Sequence, residues 1–202
     1  MKSNIDIDRK YKYRDINKKS IVLDIGGFKG EWAFHISKKY GCQVHVFEPF
    51  RNHYYKIMIQ RLWNSKISLY RLAVSSKGGP IDFFLTENAD GHSIYDRSKS
   101  SMQKKVKKIT VNSVTLKDFM ESQKMDSVDL IKMNCEGAEI DILNSIDSSF
   151  STKIKQITFS GHAPKITKTE DQEAAIDHIR KLGFTVEEYC NEQVSNRFYC
   201  YR

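Results

Sequence analysis

The segment Asp24-Ile25-Gly26-Gly27-Phe28-Lys29-Gly30 has the composition of a ligand-holding turn. Glycine lets a ligand approach the main chain where a Cβ would block it, and the first N–H groups of a following helix offer donors to a carboxylate or phosphate. Glu48, 22 residues after Gly26 and followed by Pro49, ends the next apolar run and is placed to accept hydrogen bonds from both hydroxyls of a ribose. The pair therefore predicts a nucleoside-bearing ligand, and two chemistries compete for it. An NAD-dependent oxidoreductase would use the same arrangement. Against that, the spacing Gly26-x-x-x-Gly30 departs from G-x-G-x-x-G, and Asp24 puts negative charge where a pyrophosphate would sit. The ammonium of an amino acid, such as the methionine end of S-adenosylmethionine, would instead be attracted to that carboxylate. The plainer alternative is that Asp24 caps the turn and the glycines merely permit it.

A second set of polar residues lies further along. Asn134-Cys135-Glu136-Gly137 follows an apolar run, and His162 sits in Gly161-His162-Ala163-Pro164 after another. An imidazole titrates near neutrality, so His162 is the first candidate for a general base, and Glu136 the second, as base or as an orienting acceptor. A surface histidine and a helix-capping glutamate are the alternatives. Glu139, three residues on, suits the first turn of a helix and reads as structural. Asp90 and His92, beside Gly91 in a polar stretch from 87 to 101, are placed to meet a substrate. No convergent set of metal ligands stands out, and Cys42, Cys135, Cys190 and Cys200 lack the paired spacing of a zinc site, so no obligatory metal is expected.

The elements that must position these residues alternate. Residues 21 to 25, 44 to 47 and 66 to 74 read as strands, separated by helical spacing from 31 to 40 and 51 to 63. Stretches at 81 to 86 and 109 to 114 read as extended and 116 to 122 as a short helix. Alternation resumes with strands at 128 to 133 and 154 to 159, an amphipathic stretch between them, and a helix from 170 to 182. Two closing strands, 184 to 189 and 197 to 201, suit an antiparallel hairpin. This predicts one α/β domain with a doubly wound, mostly parallel, seven-stranded Rossmann-like sheet and an antiparallel C-terminal edge hairpin.

The 202 residues suffice for one large domain. No apolar run is long enough to cross a bilayer, no signal peptide is expected, and the sparse cysteines fit a reducing, cytoplasmic setting. The net charge is +8, with a cluster at Arg97, Lys99, Lys104, Lys105, Lys107 and Lys108. Without a nucleic-acid-binding module, that cluster reads as a solvated edge, and nucleic acid is disfavoured as a partner.

Residues 128 to 143, VDLIKMNCEGAEIDIL, together with LDIGGFKG at 23 to 30, FEP at 47 to 49 and LAVSS at 72 to 76, resemble the FkbM-type methyltransferases. The resemblance implies transfer of a methyl group from S-adenosylmethionine to a hydroxyl, commonly of a sugar or another glycosylated or polyketide product, with a sugar or glycan the expected acceptor. It also implies that Asp24, Gly26, Gly30 and Glu48, with the adjoining Gly27 and Pro49, surround the cofactor, with Asn134, Glu136 and His162 at the active end. Two positions depart from the pattern: Asn134 stands where an Asp is usual, and Ser160 where the family tends to place a Glu two residues before the His. These departures leave open a relative that binds cofactor but does not transfer methyl groups.

Overall fold

The computed structural model describes residues 13–86, 106–163, 167–191 and 194–202. The chain runs β1 (Ile21–Ile25), α1 (Glu31–Tyr40), β2 (Gln43–Phe47), α2 (Arg51–Gln60) with a single 3₁₀ turn (Arg61–Trp63), and β3 (Ile67–Tyr70). After these come β4 (Ala73–Val74), β5 (Gly79–Thr86), β6 (Val106–Val114) and α3 (Leu116–Ser122). The second half holds β7 (Leu130–Met133), α4 (Glu139–Asn144), α5 (Ser148–Ser151), β8 (Gln156–Ser160), α6 (Thr169–Lys181), β9 (Thr185–Asn191) and β10 (Val194–Tyr201).

Seven strands form the main sheet in the order β3-β2-β1-β7-β8-β10-β9. The first five are parallel, and β10 runs antiparallel to both β8 and β9. The order reverses beside β1, the place where open α/β sheets leave a crevice at the strand ends. Both faces of the sheet are covered because successive side chains alternate. Val22, Val44, Val46 and Leu130 pack on one face with Trp32, Ile36 and Ile57; Leu23, Ile25, Phe47, Ile131 and Met133 pack on the other with Phe119, Leu143 and Ile179.

The predicted strand from 66 to 74 divides in two. Only β3 joins the main sheet, while β4 pairs with β6 in a separate sheet of order β4-β6-β5. That small sheet is tied on through the core, where Val74, Leu116 and Phe119 lie with the main-sheet residues. Of the closing hairpin, β9 forms the edge and β10 lies one position inside it. No helix among the described residues is long and apolar enough to cross a membrane.

Candidate active site

Parallel register brings the predicted residues to one level. Phe47 pairs with Ile25, Ile25 with Met133, and Met133 with Phe159, so the next residues along, Glu48, Gly26, Asn134 and Ser160, lie side by side at the strand ends. The site is thus assembled by strand pairing, from residues up to 134 positions apart (Gly26 to Ser160).

The glycines of the first turn are required chiefly by the protein's own packing. A Cβ on Gly26, whose φ is +80°, would lie 2.2 Å from the Asn134 carbonyl oxygen. One on Gly27 would lie 2.2 Å from Val46 Cγ1, and one on Gly30 would press on the Phe34 ring and Ile57. The expectation that these positions serve a ligand's close approach is therefore only part of their explanation. Two amides of the turn, Gly26 and Gly27, donate to the Phe47 carbonyl at 3.0 Å each, and Gly30 starts α1 without a side-chain cap.

Asp24 lies beneath this turn, fully buried, with Lys132 Nζ 2.7 Å from Oδ1. Their strands put them in direct parallel register. The same ammonium donates to the Gly26 carbonyl at 3.0 Å, which pins the turn from below, and lies 5.7 Å from the Trp32 ring centroid. Sequence reasoning placed Lys132 within a motif and gave it no role. The signal available was a lysine inside an otherwise apolar strand, which needs a buried counter-charge.

Glu48 is buried at the end of β2. Oε2 accepts from the Phe28 amide at 2.7 Å and Oε1 from the Phe50 amide at 2.8 Å. Burial pushes the carboxyl up to about 7 despite those two donors, with the charge of Asp24 adding to the rise. Phe28 reaches Glu48 from a left-handed backbone, φ 51°, and its ring meets His53 edge-on at 4.5 Å between centroids. Pro49 continues from Glu48 into the turn before α2, partly exposed.

Across the row, His162 stands between two carboxylates: Nε2 is 3.7 Å from Glu136 Oε1 and Nδ1 is 3.4 Å from Glu139 Oε2. Burial by itself would lower the imidazole from its usual 6.5, but the contacts with and charges of Glu136 and Glu139 outweigh it and push the group up to about 10. The two carboxylates therefore favour the protonated imidazolium. Glu139 does occupy the first turn of α4, and it does more than favour the helix dipole. Its oxygens accept from the Cys135 amide at 2.6 Å and the Gly137 amide at 2.7 Å, folding the loop around itself. Burial alone would raise its carboxyl; His162 and the Cys135 amide hold it below the usual carboxylate range. Burial and the same carboxylate push the Cys135 thiol well up, which disfavours a nucleophilic role.

Glu136 projects from a left-handed backbone, φ 55°, followed by Gly137 at φ 109°. Such a conformation in a non-glycine residue is held only where the surroundings enforce it, and it collects at functional sites. Asn134 contributes through its main chain, its amide donating to the Ile25 carbonyl at 3.0 Å. Ser160 Oγ is buried with no hydrogen-bond partner among the described residues, and the carboxylates near His162 are those of Glu136 and Glu139. Asp90 and His92 lie outside the described residues, as do Arg97, Lys99, Lys104 and Lys105 of the basic cluster. Lys108 pairs with Asp82 at 2.8 Å on the exposed face of the small sheet. Among the described residues no group of three or more His, Cys, Asp or Glu could hold a metal ion.

The Methyltransferase FkbM domain matches residues 24–192 of this sequence, which takes in every residue of the row and the cluster. The chain belongs to the FkbM methyltransferase family. No curated protein matches it by sequence. Among solved structures, the methyltransferase FkbM from Methylobacillus flagellatus KT shares the fold at a TM-score of 0.62 and 13% identity, over 92% of this chain and 44% of that one. This chain therefore spans less than half the length of that FkbM protein. An rRNA methylase from Streptococcus thermophilus gives a TM-score of 0.57 at 9% identity, over 100% of this chain and 98% of the other. The precorrin-6y C5,15-methyltransferase of Geobacter metallireducens GS-15 gives 0.52 at 8%, over 93% and 82%. At such identities the likeness is one of fold, and the fold is the Rossmann-like sheet of methyltransferases.

Proposed function

We propose that this chain is an O-methyltransferase that uses S-adenosylmethionine and acts on a hydroxyl of a sugar or glycan. The observation that carries the reading is the cluster of Glu136, His162 and Glu139 at the strand ends beside the Gly26–Glu48 row, which supports reading one as the acceptor side and the other as the cofactor side. When bound, S-adenosylmethionine supplies an electrophilic methyl group on a sulfonium.

The residues present suit that cofactor. A carboxylate offers about four acceptor positions. Those of Glu48 receive one main-chain donor on each oxygen, which leaves capacity for the two hydroxyls of a ribose. The uncapped start of α1 offers amides for a carboxylate. Asp24, paired with Lys132, supports the turn from beneath and acts on an ammonium only through that pair.

For the acceptor, an alcohol must lose its proton as its oxygen bonds carbon. His162 held as an imidazolium cannot take that proton, so Glu136 is the proton acceptor and His162 orients it, with Glu139 fixing the imidazole from behind. Asn134, at the same level, is a polar neighbour able to hold a second hydroxyl.

The test is transfer of labelled methyl from S-adenosylmethionine to a panel of saccharides. Glu136→Gln is expected to lower the rate about 10²–10⁴-fold and His162→Ala to lower it as well. Unchanged rates in both variants would remove the assignment of roles. Calorimetric binding of cofactor with transfer to no acceptor would favour the inactive relative, and binding of NAD in its place the oxidoreductase.

A further inference from the structure

Helix α2 has two apolar faces. His53 and Ile57 are buried against the body of the protein, where Ile57 belongs to the core beneath α1. On the opposite side Tyr55, Met58, Ile59 and Leu62 follow the spacing i, i+3, i+4, i+7, and all are exposed: Ile59 61%, Leu62 77%, and, at the end of the 3₁₀ turn, Trp63 91%. A helix of a water-facing surface shows one apolar stripe, turned inward. This one shows a second, turned outward and led by residues that water penalises most.

Charge decides what would cover it. From residue 49 to 66 the chain carries Arg51, Lys56, Arg61 and Lys66 and no acidic residue; the nearest acids in sequence are Glu48, which is buried, and Asp82. Arg51 lies 5.5 Å from the Tyr55 ring centroid, so a cation borders the stripe itself. The loop after Trp63 is tied to α1 by Asn64 Nδ2 donating to Ser37 Oγ at 3.2 Å, next to the exposed pair Lys38 and Lys39. A second copy of this chain would bring like charges together, and an RNA backbone would satisfy the cations while leaving Ile59 and Leu62 without use. A surface that is anionic outside and apolar beneath satisfies both.

We propose that α2 and its 3₁₀ extension dock this protein on an anionic lipid bilayer, with Ile59, Leu62 and Trp63 entering the interface and Arg51, Lys56, Arg61 and Lys66 at headgroup level. Basic residues flanking an apolar stripe that contains Trp and Leu make an interfacial helix, which binds through buried apolar area and attraction to anionic lipid together. The underside of α2 stays fixed by Ile57, so docking needs no unfolding.

The chain has two tryptophans, and Trp32 is buried, which makes Trp63 the reporter of its own surroundings. The whole chain is mixed with phosphatidylcholine vesicles with and without phosphatidylserine. Expected results are co-sedimentation with the anionic vesicles only, a blue shift and protection from acrylamide that Trp63→Phe abolishes, and weakening by salt. Ile59→Ser with Leu62→Ser, and separately Lys56→Glu with Arg61→Glu, should each weaken binding about tenfold while the circular dichroism and melting curve stay as in the parent. The proposal is overturned by absence of binding to anionic vesicles, or by binding that the serine pair leaves intact. It is equally overturned if light scattering shows a lipid-free dimer that the serine pair dissociates, which assigns the face to a second copy, or if RNA binding through the same cations shields Trp63 while vesicles do not.

Discussion

The two halves of the strand-end row are built on different principles. The glycine-turn half, from Asp24 to Gly30 with Glu48, is a main-chain construction: close-packed glycines, amides directed at one carbonyl and at Glu48, and a buried ion pair underneath. The histidine half is a side-chain construction in which two carboxylates share one imidazole. A main-chain site tolerates no change of shape, and its one carboxylate outside the ion pair, Glu48, is held near neutrality by burial. The side-chain cluster is held by its own charges, with His162 kept protonated well above neutrality.

The largest effect expected of that difference is at Lys132. Removing one member of a buried pair leaves an uncompensated charge, so Lys132→Met should cost about 3–5 kcal/mol in denaturant unfolding, and Asp24→Leu in the same chain should restore part of it. A Lys132→Met variant as stable as the parent would show that the ion pair does not support the turn. Next comes Gly26→Ala, expected to cost about 2–3 kcal/mol, since the added carbon meets a carbonyl at 2.2 Å and the backbone is left-handed. The loss should appear equally in stability and in cofactor binding, whereas Glu136→Gln should lower activity far more than stability.

Smaller effects separate the halves by their protons. Glu48, pushed up to about 7, accepts ribose hydroxyls best when ionised, so affinity for S-adenosylmethionine should rise between about pH 6 and about pH 8, and Glu48→Gln should flatten the rise in calorimetry. For His162 the folded group at about 10 lies above its ordinary 6.5, so its contribution to stability is complete below 6.5 and is lost as pH climbs through 10. An NMR titration should find no ring transition near neutrality in the parent protein and one shifted downward in Glu139→Gln. A parent imidazole titrating at its ordinary value would return the role of base to His162.

The same contrast explains what could be read from sequence. Glycine spacing and the acid 22 residues later record a main-chain site directly, because only glycine fits where Gly26 faces Asn134. The strands were legible as apolar runs, and so was the reversal of order that opens the crevice. The departure of β4 from β3 was not, since nothing in a run from 66 to 74 reports which neighbour each half will pair with. Glu139 was legible in part, at the start of its helix and with a structural role, and its contact with His162 was not, for a related reason. Its place at the start of a helix is local and visible, while its approach to His162 depends on β7 lying beside β8. The second apolar face of α2 was in plain spacing, yet helical periodicity alone does not say which of two stripes turns inward.

The contact between Gly26 and Asn134 has a consequence for how such an enzyme can change. What the turn meets at position 134 is a carbonyl oxygen, and what anchors that position to β1 is an amide; neither belongs to the side chain. The scaffold is therefore indifferent to the identity of residue 134. An acid can be exchanged for an amide there without disturbing the glycine turn, so the chemistry presented at the end of β7 can be varied independently of the packing that shapes its neighbour.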